Sequence, residues 1–253
     1  TYIDTNIPSG LASTSCWWDP WYGYVCYGYQ PTYSDNRFSY NAVVGPRDAE
    51  NGFRMAPVIV RGRLVPGMGG GICQVSTTLY NAVLLADLKV VRREHHAFPV
   101  HYVPAGRDAT VAYGSIDFQF ENNSDGPIAL AADGRGGQVV IRVLGRPVPG
   151  RTVSLERTGV SSWAAPLQTV RDASLPSGTK RTVDKGHAGH RVTVWRVVKE
   201  GGRVVRREVV SRDHYRAFPR VMAVGTRAPR LPDSVPAAAP AAPPAPGSQP
   251  AGA

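Results

Sequence analysis

The stretch that decides the fold is GGGICQVSTTLYN at residues 69–81, where three glycines lead directly into an apolar repeat. Apolar residues recur at helical spacing as far as Ala86, which predicts a helix from Ile72 to about Asp87. Cys73 then lies in the first turn, where free N–H groups and the positive end of the helix dipole stabilise a thiolate. The glycines let a ligand approach the backbone closely. The stretch therefore predicts a candidate nucleophile in an activating setting.

A cysteine nucleophile needs a base and a group that orients that base. Three histidines follow the helix, far enough along the chain to fold back over its N-terminus: His95, His96 and His101. Asp108 can supply an orienting carboxylate, and Arg107 beside it can bind a substrate carboxylate. This pattern is typical of acyl transfer, in which the glycine-loop N–H groups hold the oxyanion.

The residues by themselves leave other interpretations open. A cysteine at the start of a packed helix is often only a small core residue, and a single histidine is more often structural than catalytic. A metal site is disfavoured because Cys73 has no close ligand pair of the C-x-x-C or H-x-x-x-H type. We expect no metal and no cofactor.

Short extended segments surround the predicted helix, and one helix against several strands predicts an α+β fold for the first domain. The predicted strands are 58–60, 89–93, 99–104, 109–113 and 116–120, followed by a hairpin at 128–132 and 139–144. A second hairpin at 192–198 and 203–210, turning at Gly201-Gly202, indicates an elongated all-β module. The predicted division of the chain is an aromatic lead-in at 1–36, domains at 37–148 and 153–228, and a disordered Pro/Ala-rich tail at 229–253.

The net charge of +10 is unevenly distributed. Residues 1–150 carry 12 basic and 12 acidic side chains, whereas residues 151–230 carry 17 basic and 6 acidic ones. A basic second half indicates an anionic partner or surface, although a solvated basic face without a partner is an equal alternative. Nucleic acid is not the expected partner, because aromatic residues do not interleave with the basic ones.

We expect different states for the three cysteines. Cys16 and Cys26 flank a short aromatic loop that a disulfide can close in an oxidising compartment, which leaves Cys73 as the odd, reactive thiol. The alternative is that Cys16 and Cys26 are unpaired and partly buried.

Several motifs together resemble the VanW domain family. They are Phe38-Ser39-Tyr40-Asn41, Gly45-Pro46-Arg47, the glycine run with Ile72-Cys73-Gln74, His96-Ala97-Phe98-Pro99, Gly106-Arg107-Asp108-Ala109-Thr110 and Asp117-Phe118-Gln119-Phe120. The resemblance covers roughly residues 38–145. It implies a cell-envelope protein linked to vancomycin resistance, and some family members act as L,D-transpeptidases with a catalytic cysteine.

The resemblance implies catalytic roles for Cys73, His96 and Asp108. We assign substrate binding to the neighbouring residues Gly69, Gly70, Gly71, Gln74, Ser76, Tyr102 and Arg107. The implied function is a cysteine acyltransferase that modifies peptidoglycan stem peptides, by transpeptidation or by carboxypeptidase hydrolysis. The alternative is a non-catalytic protein that binds peptidoglycan or another wall polymer.

Residues 153–228 resemble a second family, the G-five domain. The resemblance is carried by Leu175-Pro176-Ser177-Gly178, Lys185-Gly186-His187-Ala188-Gly189, Trp195-Arg196-Val197-Val198 and Val224-Gly225-Thr226. It implies a thin β-sheet module that binds anionic wall polymers or amino sugars. We therefore expect an extracytoplasmic protein, secreted or anchored to the envelope, with no signal or anchor present in this chain.

Overall fold

The computed structural model describes residues 3–4, 15–19, 23–27, 36–60, 63–135 and 137–228. The described residues are mostly β, with one long helix and one short helix. The predicted disorder of the tail lies outside the described residues. Among the helices of the described segments, none is both long enough and apolar enough to cross a membrane.

The elements of the first part end before residue 145. They are β1 (Ile3–Asp4), β2 (Ser15–Asp19), β3 (Gly23–Tyr27), β4 (Arg37–Ser39), α1 (Tyr40–Val44), β5 (Met55–Val60), β6 (Arg63–Met68), α2 (Ile72–Leu85), β7 (Lys89–Arg92), β8 (Gln119–Glu121), β9 (Ala129–Arg135) and β10 (Gln138–Leu144). The second part contains strands only. They are β11 (Arg151–Trp163), β12 (Leu167–Pro176), β13 (Lys180–Asp184), β14 (Gly189–Glu200), β15 (Arg203–Tyr215) and β16 (Arg220–Arg227).

Helix α2 is the centre of the first part, as its apolar spacing predicts. One face is buried in the main core, where Tyr80 meets Phe118 edge-on at a ring-centroid distance of 5.6 Å. The sheet β4–β8–β7 adds Phe38 and Phe120, whose rings stack at 4.8 Å. Burial of aromatic and branched side chains is the main stabilising term for such a domain. The long helix is thereby fixed in orientation, with its glycine-bearing N-terminus at the edge of the core.

Two of the predicted strands are wrong, and the reason bears on the site. Residues 99–104 and 109–113 are irregular: within 109–113 only isolated backbone bridges form, and side chains bond to several of the remaining backbone groups. The Ala109 N–H donates to the Thr77 hydroxyl at 3.0 Å, and the Ser76 hydroxyl donates to the Ala109 carbonyl at 2.7 Å. Polar side chains of α2 therefore hold the irregular segment that carries Asp108.

The remaining predicted elements are confirmed with small shifts. Helix α2 ends two residues early, β8 begins three residues late, and the predicted strands at 58–60 and 89–93 lie in β5 and β7. Both predicted hairpins are present as β9–β10 and β14–β15, and residues 151–227 are all-β as expected.

The second part packs directly on the first through β14 and β15. Leu155 and Val210 lie against both apolar clusters, so the two cores are continuous. Arg196 donates to the Leu88 carbonyl at 2.8 Å and lies 3.4 Å from Asp87, just beyond the C-terminus of α2. A cation near a helix C-terminus is favourable because it faces the negative end of the helix dipole.

Cys16 and Cys26 occupy directly opposed positions in the antiparallel pair β2–β3. Their side chains lie outside the described residues, so the disulfide remains a prediction. Directly opposed residues of an antiparallel pair lie about 4.5–5.5 Å apart at Cα, within the span that a disulfide bridges.

We expect the folded chain to carry one alkylatable thiol, at Cys73, and three after reduction of the denatured chain. Intact-mass measurement after alkylation distinguishes the two counts, and Cys16→Ser should free Cys26 and add one label. Labelling of all three cysteines without a reductant would contradict the disulfide.

Candidate active site

The glycine run lets the backbone turn tightly into α2 while β5 packs against it. Gly71 is the N-cap residue and has a φ of 90°, a left-handed conformation that glycine adopts without strain. A Cβ on Gly70 would lie 2.6 Å from the Ala56 carbonyl carbon and 2.8 Å from the Pro57 oxygen. The loop thus excludes side chains, and within the described residues the N–H of Cys73 has no backbone acceptor. That N–H is available to an oxyanion.

Cys73 is the second residue of α2, and its thiol is half-buried and unpaired. The sulfur lies 3.5 Å from the Thr110 hydroxyl and 3.5 Å from the Val111 carbonyl oxygen. Burial alone would raise the pKa of the thiol, but the nearby His96, together with the Val111 carbonyl and the Thr110 hydroxyl, outweighs burial and lowers it. The position therefore favours the thiolate, the reactive form of cysteine.

His96 and Asp108 form a buried pair beside the thiol. The Nδ1 atom of His96 lies 2.7 Å from Oδ2 of Asp108, and the backbone N–H of His96 donates to the same oxygen at 2.7 Å. The two residues are 4% and 1% exposed, respectively. This geometry fixes Nδ1 as the protonated nitrogen and leaves Nε2 free for the thiol.

The pKa values of this pair move in opposite directions. Burial alone would lower the pKa of His96, but the hydrogen bond to Asp108, the nearby Cys73 thiol and the charges of both raise it to about 9. Burial would raise the pKa of Asp108, but the His96 hydrogen bond and the charge of Arg93 lower it to about 2. The raised pKa of His96 and the lowered pKa of the Cys73 thiol both favour an imidazolium–thiolate pair.

The Cys73 thiol and the His96 imidazole are not joined by a hydrogen bond of good geometry. Nε2 of His96 is buried and has no partner of good hydrogen-bonding geometry among the described residues, although the two groups strongly influence each other's pKa. Hydrogen bonds between catalytic groups are often long before substrate binds. The arrangement is that of a nucleophile, a base and an orienting acid.

Arg47 is a site residue that the sequence analysis did not single out, although its Gly-Pro-Arg motif was noted. Its guanidinium lies 5.8 Å from the ring centroid of Tyr40 and 5.3 Å from that of Tyr113. Its terminal nitrogens donate to the Gly45 carbonyl and to Asn41, each at 2.6 Å, while its buried Nε has no partner among the described residues. Burial lowers the pKa of Arg47, and nearby groups, Cys73 among them, oppose that effect. The Arg47 cation therefore lies near enough to the thiol for their charges to interact.

The other expected site residues fall into two groups. Gln74 and Tyr102 line a cavity of about 410 Å³ between one face of α2 and the β9–β10 turn. Tyr102 also meets the His96 ring edge-on at 6.5 Å, so the cavity adjoins the His96–Asp108 pair.

Ser76 and Arg107 instead make structural contacts. Ser76 is fully buried and bonds to the segment that carries Asp108. The Arg107 guanidinium donates to the Asn81 side-chain oxygen at 2.7 Å, and Asn81 in turn donates to the Arg107 carbonyl. The hydrogen bonds of these two residues therefore join α2 to the irregular segment.

We expect iodoacetamide to alkylate Cys73 at a lower pH than it alkylates an ordinary thiol, because the protonated His96 lowers the pKa of the Cys73 thiol. In His96→Gln the thiol loses its counter-ion and burial dominates, so rapid alkylation should require a higher pH. Rates measured from pH 5 to 11 test this. His101→Gln changes an exposed histidine and should match the wild type; equal profiles for both variants would contradict the pairing of His96 with Cys73.

Two family models match the chain. Residues 32–144 match "VanW like protein", and residues 156–227 match "G5 domain". The matched ranges contain all three of the catalytic candidates, Cys73, His96 and Asp108, within the first domain.

Two curated proteins have sequences similar to part of this chain. YoaR of Bacillus subtilis (strain 168) is 50% identical over 109 residues, which cover 43% of this chain and 36% of YoaR. The vancomycin B-type resistance protein VanW of Enterococcus faecalis (strain ATCC 700802 / V583) is 29% identical over 93 residues, which cover 35% of this chain and 34% of VanW. The chain thus spans about a third of the length of these curated relatives.

Two solved G5 structures are similar to the second part. The IgA1 protease G5 domain is 23% identical, with a TM-score of 0.24, over 30% of this chain and 90% of that domain. The HP0197-G5 crystal structure is 24% identical, with a TM-score of 0.19, over 30% of this chain and 97% of the other. The resemblances read from the sequence motifs are confirmed by the family matches: the chain combines a VanW-like domain with a G5 domain.

Proposed function

We propose that this protein is an extracytoplasmic cysteine acyltransferase that remodels peptidoglycan, acting as an L,D-transpeptidase on stem peptides. The observation that carries the proposal is the buried His96–Asp108 pair beside a half-buried thiol at a helix N-terminus. The VanW-like domain, and the resistance named for its Enterococcus relative, support a cell-wall setting linked to glycopeptide resistance.

In the acylation step the Cys73 thiolate attacks the amide carbonyl that precedes the terminal D-residue of a donor stem. As the S–C bond forms, the oxyanion accepts a hydrogen bond from the free N–H of Cys73. The imidazolium of His96 then donates its Nε2 proton to the leaving amine as the C–N bond breaks. In the second step His96 takes a proton from an acceptor amine, which attacks the thioester and releases the thiolate. Water in place of the amine gives a carboxypeptidase.

The cavity beside Tyr102 suits an uncharged stretch of peptide. Its α2 face presents the Gln74 amide and, one turn further along, the Thr78 hydroxyl, whereas the polar groups of Thr77 and Asn81 are already hydrogen-bonded within the protein. Such groups pair with the backbone of an extended ligand without requiring a charge on it. We assign this cavity to the stem residues on the acyl side of the scissile bond.

Arg47 is the residue that we assign to the carboxylate of the leaving D-residue. The Arg107 side chain bonds to Asn81, whereas Arg47 belongs to the charged surroundings of the thiol. An arginine pairs with a carboxylate through parallel hydrogen bonds, which orients the scissile amide.

The G5 domain is the part that we assign to contact with the wall. Its strands expose most of their side chains, and many of these are basic. Anionic wall polymers or amino-sugar polymers fit that charge.

Incubation with muropeptides carrying tetrapeptide stems tests the activity. We expect crosslinked dimers or trimmed stems by mass spectrometry from the wild type and none from Cys73→Ala, because the variant keeps the cavity but lacks the nucleophile. Muropeptides that bind but remain unchanged would replace the enzyme with a wall-binding protein.

The role of Arg47 is tested with paired donors that end in a carboxylate or in an amide. The wild type should prefer the acid donor by about 10- to 100-fold in kcat/KM, the worth of a hydrogen bond to a charged group. Arg47→Gln should lose this preference and Arg47→Lys should retain part of it. An equal preference in wild type and Arg47→Gln would place the carboxylate elsewhere.

A further inference from the structure

The two carboxylate oxygens of Asp108 face different domains. Oδ2 accepts both hydrogen bonds from His96. Oδ1 accepts from the hydroxyl of Tyr215 and lies 3.3 Å from the Arg93 guanidinium. Tyr215 is the last residue of β15 and belongs to the G5 domain. The orienting acid of one domain is therefore bonded by a side chain of the other.

The direction of the Tyr215 hydrogen bond follows from its second partner. The N–H of Gly106 donates to the same phenol oxygen at 2.8 Å, and an N–H group can only donate. The single proton of the hydroxyl is thus left for Asp108. Tyr215 is 0% exposed, and burial together with the charge of Asp108 raises its pKa, so the phenol keeps that proton.

Asp213 acts on the same carboxylate through Arg93. It lies two residues before Tyr215, so both side chains project from the same face of β15. Arg93 donates to Asp213 at 2.6 Å, and its Nε donates to the Asp108 carbonyl at 2.6 Å. The Arg93 and Asp213 side chains are almost fully buried, so this contact is shielded from solvent.

The loop that carries Asp108 is also shaped to the G5 surface. Gly106 has a φ of 90°, and a Cβ there would lie 2.6 Å from Val194 Cγ2 and 2.9 Å from Val192 Cγ1. The ring of His95, next to the catalytic histidine, lies 4.7 Å from the ring of Tyr215. Packing and hydrogen bonds thus both join the G5 domain to the orienting acid.

We propose that Tyr215 and Asp213 of the G5 domain are positioning residues for Asp108, so that the catalytic centre of the VanW-like domain is complete only when the G5 domain is packed on it. The inference rests on the function proposed above for Cys73, His96 and Asp108. It gives the G5 domain a role in the chemistry in addition to any contact with the wall.

Tyr215→Phe in the full chain removes the one hydroxyl and keeps the ring. We expect the pKa of His96, measured by NMR of labelled histidine, to shift by about half a unit, which is about three-fold in the ionisation constant. Alkylation of Cys73 at neutral pH should slow by a similar factor, because the imidazolium is held less well against the thiol.

Ser211→Ala is the matched control. Ser211 lies on the same strand and donates to the Gly106 carbonyl at 3.3 Å, but does not contact Asp108. It removes a hydrogen bond from the same interface, and its His96 titration should coincide with that of the wild type. A Tyr215→Phe titration that also coincides with the wild type overturns the inference.

Asp213→Asn provides a second variant in case Tyr215→Phe does not fold. It keeps the shape and one acceptor oxygen but removes the charge that holds Arg93, and it should also move the His96 titration relative to Ser211→Ala. An unchanged pKa of His96 in Asp213→Asn would also count against the inference.

The readouts separate this inference from the proposed function. The histidine titration reports on Asp108 whether or not the protein turns over muropeptides. If the wild type is inactive but the pKa of His96 changes in Tyr215→Phe, only the transpeptidase proposal is contradicted. If the wild type is active but the pKa of His96 does not change in Tyr215→Phe, only the positioning role is contradicted.

Discussion

The buried carboxylate of Asp108 is the group on which the rest of the site depends. A buried charge is tolerated only when hydrogen bonds and opposite charge replace the water it has lost. Here His96 supplies two donors, Tyr215 supplies a hydroxyl, and Arg93 supplies the cation. His96 and Arg93 come from the chain after α2 and Tyr215 comes from the G5 domain, so the loss of water from one carboxylate ties both to the loop at 104–108.

The polar face of α2 serves this arrangement as much as its apolar face does. Leu79, Val83 and Leu84 anchor the helix in the core, while Ser76 and Thr77 hold the irregular segment that places Asp108 opposite His96. An irregular segment at depth needs its backbone groups satisfied by some partner. Side chains of the helix supply that partner, so Cys73 and the side chains that hold the Asp108 segment lie on one rigid element.

The two domains share more than a linker. Arginines of β14 and β15 meet the C-terminal end of α2, and Tyr215 meets the acid near its N-terminal end. The residues just beyond the helix C-terminus and the Asp108 segment are thus both in contact with the G5 domain, and the continuous apolar cluster includes Leu155 and Val210. This extent of contact distinguishes the pair from two modules that move independently on a flexible connection.

The sequence by itself determined the elements whose signals are local. The spacing of Leu79, Val83 and Ala86 specifies α2, and the glycine run before Cys73 specifies a close-packed turn into it. The motif resemblance selected His96 and Asp108, which the structure brings into contact. Only the tertiary structure decided that residues 109–113 are not a strand and that Arg107 bonds to Asn81. It also decided that Arg47 lies near enough to Cys73 for their charges to interact, and that Tyr215 completes the surroundings of Asp108. Tyr215 follows Asp108 by more than a hundred residues, so no local pattern in the sequence predicts their hydrogen bond. The bond forms only in the folded chain, because the buried charge of Asp108 needs a donor.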